Sequence, residues 1–123
     1  MIGSVIAQLR TTDLQGSIDF WTKAVGLELD FLHGDFYAGI RAGAGAFHLK
    51  LVDTPDPSIA YVEAGRHLDL YLASDDAHGT VAALAARGVR PRIPLHETDW
   101  GTLEFAIFDD QGPTIYFGER LSP

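Results

Sequence analysis

The sequence contains no cysteine and has little positive charge. Without thiols the chain can form no disulfide bonds, thiol nucleophiles or thiolate metal sites. Lys and Arg number 9 against 17 Asp and Glu, so the formal net charge is −8. Because phosphate backbones are bound by basic surfaces, this deficit argues against nucleic acid as the main partner. A neutral or cationic small ligand fits the charge better.

Long hydrophobic runs are also missing from the 123 residues. No apolar run approaches the roughly 20 residues that a membrane-spanning helix needs. The N-terminal residues 1–4 lack the basic and apolar regions of a secretory signal, so a cytoplasmic location is expected. Hydrophobic residues make up 46% and charged residues 21%, which is typical of a folded globular domain and excludes a disordered chain.

The first half of the sequence predicts a strand, a helix and three further strands. A helix capped by Thr12 or Asp13 and ended by Gly26 has apolar residues at helical spacing, with Trp21 among the core residues. Alternation and turn residues predict the strands at residues 3–10, 27–32, 36–41 and 46–52.

The second half repeats this order of elements. A helix capped by Ser74 or Asp75 is predicted to end at Gly88. The strands are predicted at residues 67–73, 89–95, 102–108 and 114–118, and the two prolines in 89–95 restrict that strand to a sheet edge.

The repeat predicts one α+β domain over residues 1–123, made of two βαβββ modules. Module 1 covers about 1–54, a linker about 55–65, and module 2 about 66–120. Neither half is long enough to form a good core alone. If each helix covers one sheet face, the other faces form a curled, incomplete barrel around a cavity.

Strand alternation places a set of polar and aromatic residues on the faces that line this cavity. The opposite faces carry mainly Leu, Ile and Phe, which are predicted core residues. Tyr37 and Trp100 lie near the predicted rim. The candidate ligand-binding residues are Gln8, Arg10, Tyr37, His48, Lys50, His67, Asp69, Tyr71, Trp100, Glu104 and Tyr116.

Three segments in this order resemble the vicinal oxygen chelate superfamily, which includes glyoxalase I, bleomycin-resistance proteins and extradiol dioxygenases. They are LRTTDLQGSIDFWTKAVGLELDF (residues 9–31), SDDAHGTVAALAARGV (74–89) and WGTLEFAIFDDQGPTIYFGE (100–119). The resemblance covers nearly the whole chain. It implies the two-module fold and a homodimer, in which modules can be exchanged between chains, and it says less about activity.

In glyoxalase-like members of this family, four inward residues bind a divalent metal. The resemblance places these positions on Ile6, His48, His67 and Tyr116. Two are good ligands, one is apolar and one is a phenol. A metal would therefore need Gln8, Glu104 or Tyr116 as further ligands.

The residues and the resemblance lead to two main hypotheses about function. The first is a metal-free, small-molecule-binding protein of the drug-sequestering, bleomycin-resistance type. Its ligand would be an aromatic or cationic compound, with walls from Tyr37, Tyr71, Trp100 and Tyr116 and charge partners in Asp69 and Glu104. The alternative is a glyoxalase- or dioxygenase-like lyase or oxidoreductase in which His48 and His67 hold Zn, Ni, Mn or Fe. Acid–base chemistry without a metal, by His67 or Tyr116, is a third possibility.

Overall fold

The computed structural model describes residues 1–64 and 69–121, and the side chains of Val62 and Glu63 are outside this description. The chain divides into two compact units, Met1–Ala60 and Tyr61–Pro123. Each unit contains one four-stranded mixed sheet, and the chain has an α+β fold. The predicted repeat of two βαβββ modules is confirmed.

The first unit holds strands β1 to β4 in the sheet order β1-β4-β3-β2. Strands β1 and β4 are parallel, and the other neighbours are antiparallel. The strands are β1 (Ala7–Thr11), β2 (Glu28–His33), β3 (Tyr37–Ala42) and β4 (Gly45–Leu51).

The helix between β1 and β2 differs from the prediction. Helix α1 (Leu14–Asp19) is followed by a π-helical turn (Phe20–Ala24), where the Val25 amide donates to the Phe20 carbonyl. The turn contains Trp21, which is fully buried and packs edge-to-face against Phe20 and Phe47. The prediction that Trp21 is a core residue is confirmed. The helix ends before Gly26, which has a positive φ of 89°, as predicted, but its last turn has π-helical hydrogen bonding instead of α-helical hydrogen bonding.

The second unit holds strands β5 to β8 in the order β5-β8-β7-β6, with β5 parallel to β8. Helix α3 (Ala77–Ala86) lies between β5 and β6 in the sequence. Strand β6 forms the sheet edge, as predicted, but it begins at Ile93 instead of residue 89 and contains only Pro94 of the two prolines. The strands are β5 (Leu70–Ala73), β6 (Ile93–Glu97), β7 (Thr102–Phe108) and β8 (Thr114–Arg120).

The predicted linker contains a helix, and one predicted cap needs correction. Residues 55–65 contain a helix, α2 (Pro57–Glu63), and the boundary between the units lies within it. Helix α3 is capped by Asp76, whose carboxylate accepts the Gly79 amide at 2.9 Å, and not by Ser74 or Asp75. Strand β1 begins at Ala7 and not at residue 3.

The beginnings of the two modules correspond at an offset of 63 residues. Asp13 caps α1 through the Gly16 amide, as Asp76 caps α3 through the Gly79 amide. The buried hydroxyl pair Thr11–Ser17 recurs as Ser74–Thr80. The same local contacts therefore join the first strand of each module to its helix.

Candidate functional site

Each sheet has one apolar face and one face with polar and aromatic side chains. In the first sheet, Leu9, Ile40 and Leu49 belong to the buried core. The strand register aligns Gln8 with His48, His48 with Gly39, and Gly39 with Phe31. Since residues in one such row point to the same side of a sheet, these four residues share the opposite face.

A chain of hydrogen bonds crosses this face. We call Gln8, Phe31, Tyr37 and His48 the first cluster. Gln8 Nε2 donates to the Tyr37 hydroxyl oxygen at 3.1 Å, and that oxygen lies 2.9 Å from His48 Nδ1. The Tyr37 hydroxyl and Nδ1 of His48 share a hydrogen bond whose donor depends on the His48 tautomer. In the tautomer in which Nδ1 accepts the Tyr37 proton, His48 carries its own proton on Nε2, where it can donate to a ligand.

Aromatic rings surround the His48 imidazole. The Phe31 ring lies edge-on to His48 with the centroids 5.1 Å apart, and it stacks on Tyr37 at 6.2 Å. Phe31 comes this close because Gly39 has no side chain: a Cβ there would lie 2.2 Å from Phe31 Cε1. Phe31, Tyr37 and His48 each keep part of their surface accessible. The rings and the imidazole therefore form one partly accessible surface.

The two cationic candidates of this face have different surroundings. Arg10 forms an ion pair with Asp56 at 3.0 Å. Hydrogen bonds from Ser58, and then the charge of Arg10, lower the pKa of Asp56. Lys50 aligns with Arg10 and Tyr37 in the register and has no ion pair within residues 1–64 and 69–121. Lys50 is thus the cation of this face that remains available to a ligand.

A second group of polar residues lies in the second sheet. We call Tyr71, Thr102 and Glu104 the second cluster. The Tyr71 hydroxyl donates to Glu104 Oε2 at 2.8 Å, and the Thr102 hydroxyl donates to the same oxygen at 2.9 Å. Tyr71 crosses above Gly118, where a Cβ would lie only 1.6 Å from the tyrosine oxygen. Glycine at 118 is what lets Tyr71 reach Glu104.

Burial and charge act together on Tyr71. Partial burial, together with the hydrogen bond to Glu104 and its negative charge, raises the pKa of Tyr71 above its usual value. The phenol therefore stays protonated and keeps donating over a wide pH range. Tyr116 aligns directly with Tyr71 in the parallel β5–β8 pair, and it is half-buried.

Two further predicted site residues, Trp100 and Asp69, belong to neither cluster. Trp100 is 73% exposed in the turn between β6 and β7, and Asp69 is exposed just before β5. His67 lies outside the described residues. The sequence prediction missed Phe31, Gly39, Thr102 and Gly118. No sequence pattern places Phe31 opposite Gly39, because the β2–β3 register shifts between Leu29 and Phe31. The role of the two glycines depends on the side chains that lie above them.

The described residues do not fit the four-ligand metal site that the resemblance implies. The side chain of Ile6 has no atom that can bind a metal. The 63-residue offset between the modules makes Asp69 the equivalent of Ile6, and not His67, which lies two positions earlier. The Nδ1 atom of His48 already faces the Tyr37 hydroxyl. Within residues 1–64 and 69–121, no group of three His, Asp or Glu side chains is placed to hold a metal ion. We therefore derive no reaction step through a metal.

Comparison with known structures shows the same fold in several proteins. TnmS3, an antibiotic-binding protein from Streptomyces sp. CB03234, is 25% identical with a TM-score of 0.73, and 98% of each chain is covered. The bleomycin-binding protein of Streptomyces verticillus, solved with copper(II)-bleomycin, is 20% identical with a TM-score of 0.73, and both chains are covered completely. A glyoxalase/bleomycin resistance protein/dioxygenase from Nocardioides is 19% identical with a TM-score of 0.77, covering 99% of this chain and 87% of that one.

Sequence comparison with protein families agrees with the structural similarity. No curated protein matches the chain. In the part of the chain that the structure describes, no helix is long and apolar enough to cross a membrane. Residues 3–117 match the Glyoxalase/Bleomycin resistance protein/Dioxygenase superfamily. Since this match covers most of the 123 residues, the chain belongs to the Glyoxalase/Bleomycin resistance protein/Dioxygenase superfamily.

Proposed function

We propose that this protein binds a small planar aromatic molecule without catalysing a reaction on it, as a drug-sequestering protein does. The observation that carries the proposal is the first cluster, in which Phe31, Tyr37 and His48 form an accessible aromatic surface around one oriented imidazole. Such a mixture of flat apolar walls and a few directed polar groups is typical of small-molecule sites.

The geometry of the first cluster favours a ligand with an oxygen acceptor at its edge. Tyr37, which accepts from Gln8, pairs with Nδ1 of His48, and we assign the Nε2–H of His48 as the group that meets the ligand. Phe31 and Tyr37 offer ring faces and edges, which interact well with another aromatic ring. A flat ring system with a carbonyl oxygen satisfies both requirements.

The structural neighbours support a binding role. TnmS3 is named as an antibiotic-binding protein, and the Streptomyces verticillus protein was solved with bound copper(II)-bleomycin. We extend a binding role to this chain as part of the proposal, with an aromatic or cationic compound as ligand. No cofactor is needed, because binding alone is proposed. The lyase or oxidoreductase alternative has His48 as its one described imidazole ligand, and no observed geometry favours it.

Assembly and location complete the proposal. The resemblance implies a homodimer, and strand β2 supports it, because Leu29 and Leu32 on this edge strand are exposed. Exposed apolar edge strands are sites where chains associate. Sedimentation equilibrium tests this point: a monomer at all concentrations would contradict it. A cytoplasmic location, expected from the sequence, stays part of the proposal.

The binding role is tested by titration with acridone, a neutral, planar and fluorescent ring system with one carbonyl. We expect saturable binding to one site per chain. Gly39→Ala should weaken it about tenfold, because the added methyl displaces Phe31 from His48. His48→Ala should weaken it by a similar factor, because the donor to the carbonyl is lost.

Gly45→Ala is the matched control, since the nearest atom to its added Cβ is 3.5 Å away. It should bind acridone as the unmodified protein does. The proposal fails if acridone does not bind, or if Gly39→Ala and His48→Ala bind it as tightly as the control. Circular dichroism of each variant separates loss of the site from loss of the fold.

A further inference from the structure

The second cluster contains a buried carboxylate that pairs with no cation among the described residues. Glu104 is 6% exposed, and both hydrogen bonds to it come from neutral hydroxyls. Both go to Oε2. The other oxygen, Oε1, accepts no hydrogen bond from the described residues, yet it is not among the polar atoms that are fully cut off from solvent. Burying a carboxylate without a cationic partner costs free energy, so Glu104 indicates that a cationic ligand is missing.

The described neighbours of Glu104 do not supply that missing charge. His96 is its cross-strand partner on β6, but His96 Nδ1 lies 2.8 Å from the Pro94 carbonyl oxygen. The ion pairs within residues 1–64 and 69–121 are Arg10–Asp56, Lys23–Asp19 and Arg41–Asp30, and none involves Glu104.

Aromatic surface lies beside the carboxylate. Tyr71 is 53% exposed while its hydroxyl is bonded to Glu104, and Tyr116 is aligned with Tyr71 on the next strand. A cation that approaches Glu104 therefore meets a ring as well as a carboxylate, and both attract it. The net charge of −8 adds long-range attraction.

We infer that Glu104 and Tyr71 form a recognition site for the ammonium group of an organic monocation. The inference rests on the proposed function and extends the binding role to a site within the second unit. A divalent metal ion fits poorly, because one carboxylate and two hydroxyls are fewer oxygen ligands than such ions require. A protonated amine needs one carboxylate acceptor and gains from an adjacent ring.

The test compares benzylammonium with benzyl alcohol, two probes of similar shape that differ in charge. Binding is followed by amide NMR shifts in the full-length protein. We expect benzylammonium to bind about tenfold more tightly. Its shifts should centre on residues 102–106 and 116–118. Glu104→Gln keeps the size of the side chain and removes its charge, so it should abolish the preference for the ammonium probe while leaving the alcohol unchanged.

Glu97→Gln is the matched control, because Glu97 is an exposed carboxylate on β6 of the same unit and its loss changes the net charge equally. It should keep the tenfold preference. The inference is overturned if Glu104→Gln keeps the preference, or if benzylammonium shifts amides elsewhere. If Glu104→Gln does not fold, the location of the shifts in the unmodified protein decides. Acridone binding with no ammonium preference would reject this site and leave the proposed function standing.

Discussion

Two glycines make room for the aromatic side chains that cross each sheet. Gly39 lies beneath the Phe31 ring, and Gly118 lies beneath the Tyr71 hydroxyl. Neither has the positive φ that makes glycine necessary in a turn. These glycines are needed because they lack a Cβ, which allows another side chain to approach the backbone closely. In the sequence they are ordinary strand glycines, so this role could not be predicted from it.

The pKa of one carboxyl in the β7–β8 turn, that of Asp109, predicts how the free energy of unfolding changes with pH. Burial, and secondarily the charge of Asp110, raises the pKa of Asp109 to about 7. The unfolded chain releases this proton near the model-peptide value of about 3.9. Between these values the folded state binds one more proton than the unfolded state, so the free energy of unfolding falls as pH rises and is constant above about 7.

Asp109→Asn removes this titration and keeps the side-chain oxygen that accepts the Gln111 amide. We expect the variant and the unmodified protein to be similarly stable at pH 4. Above pH 7 the variant should be more stable by about 4 kcal/mol. Urea denaturation across this range measures the difference. Asp35→Asn, in the exposed β2–β3 turn, keeps Asp109, so the fall in stability between pH 4 and pH 7 should remain, and a constant difference for Asp109→Asn would contradict the assignment.

At the level of elements, helix caps tie each helix to the strand before it. Asp13 and Asp76 each accept an amide of the first helical turn, and hydroxyl pairs next to them link strand and helix. The sequence analysis predicted the capped helix but assigned its second cap to Ser74 or Asp75. Three neighbouring residues were all good caps, and only backbone geometry selects the one whose carboxylate meets the Gly79 amide.

We expect Asp76→Ala to lower the free energy of unfolding by about 1 kcal/mol, because the Gly79 amide loses its acceptor. Asp75→Ala removes the same charge from an adjacent exposed position, and its effect should stay within about 0.5 kcal/mol. Urea denaturation of both variants provides the comparison. Equal losses would show that the charge, and not the cap, stabilises α3.

At the level of the whole molecule, the residues at the metal positions that the resemblance implies favour a binding function over a metal-dependent reaction. Ile6 occupies a position where the resemblance requires a ligand, and the described His, Asp and Glu residues form no group of three that could hold a metal. Equilibrium dialysis of untagged protein against Ni, Zn, Mn and Fe(II) should therefore show no tight stoichiometric binding. One metal per chain that disappears in both His48→Ala and His67→Ala would contradict this expectation and favour the enzyme alternative.

The sequence by itself determined the order of elements, the repeat and the faces of the strands. Alternation and turn residues are local signals, and they correctly predicted two βαβββ modules, the edge strand β6 and the buried Trp21. The alternation of side chains along the strands also correctly predicted that Gln8 and His48 lie on the same face of the sheet.

Only the tertiary structure decided which of these residues meet. The Gln8–Tyr37–His48 chain joins three strands, and the Tyr71–Glu104 bond joins strands that are not neighbours in the sheet. The sequence likewise did not predict the π-helical turn at Trp21 or the helix cap at Asp76. Side-chain direction, sheet order and the empty space above a glycine depend on the packed chain, so no local pattern contains them.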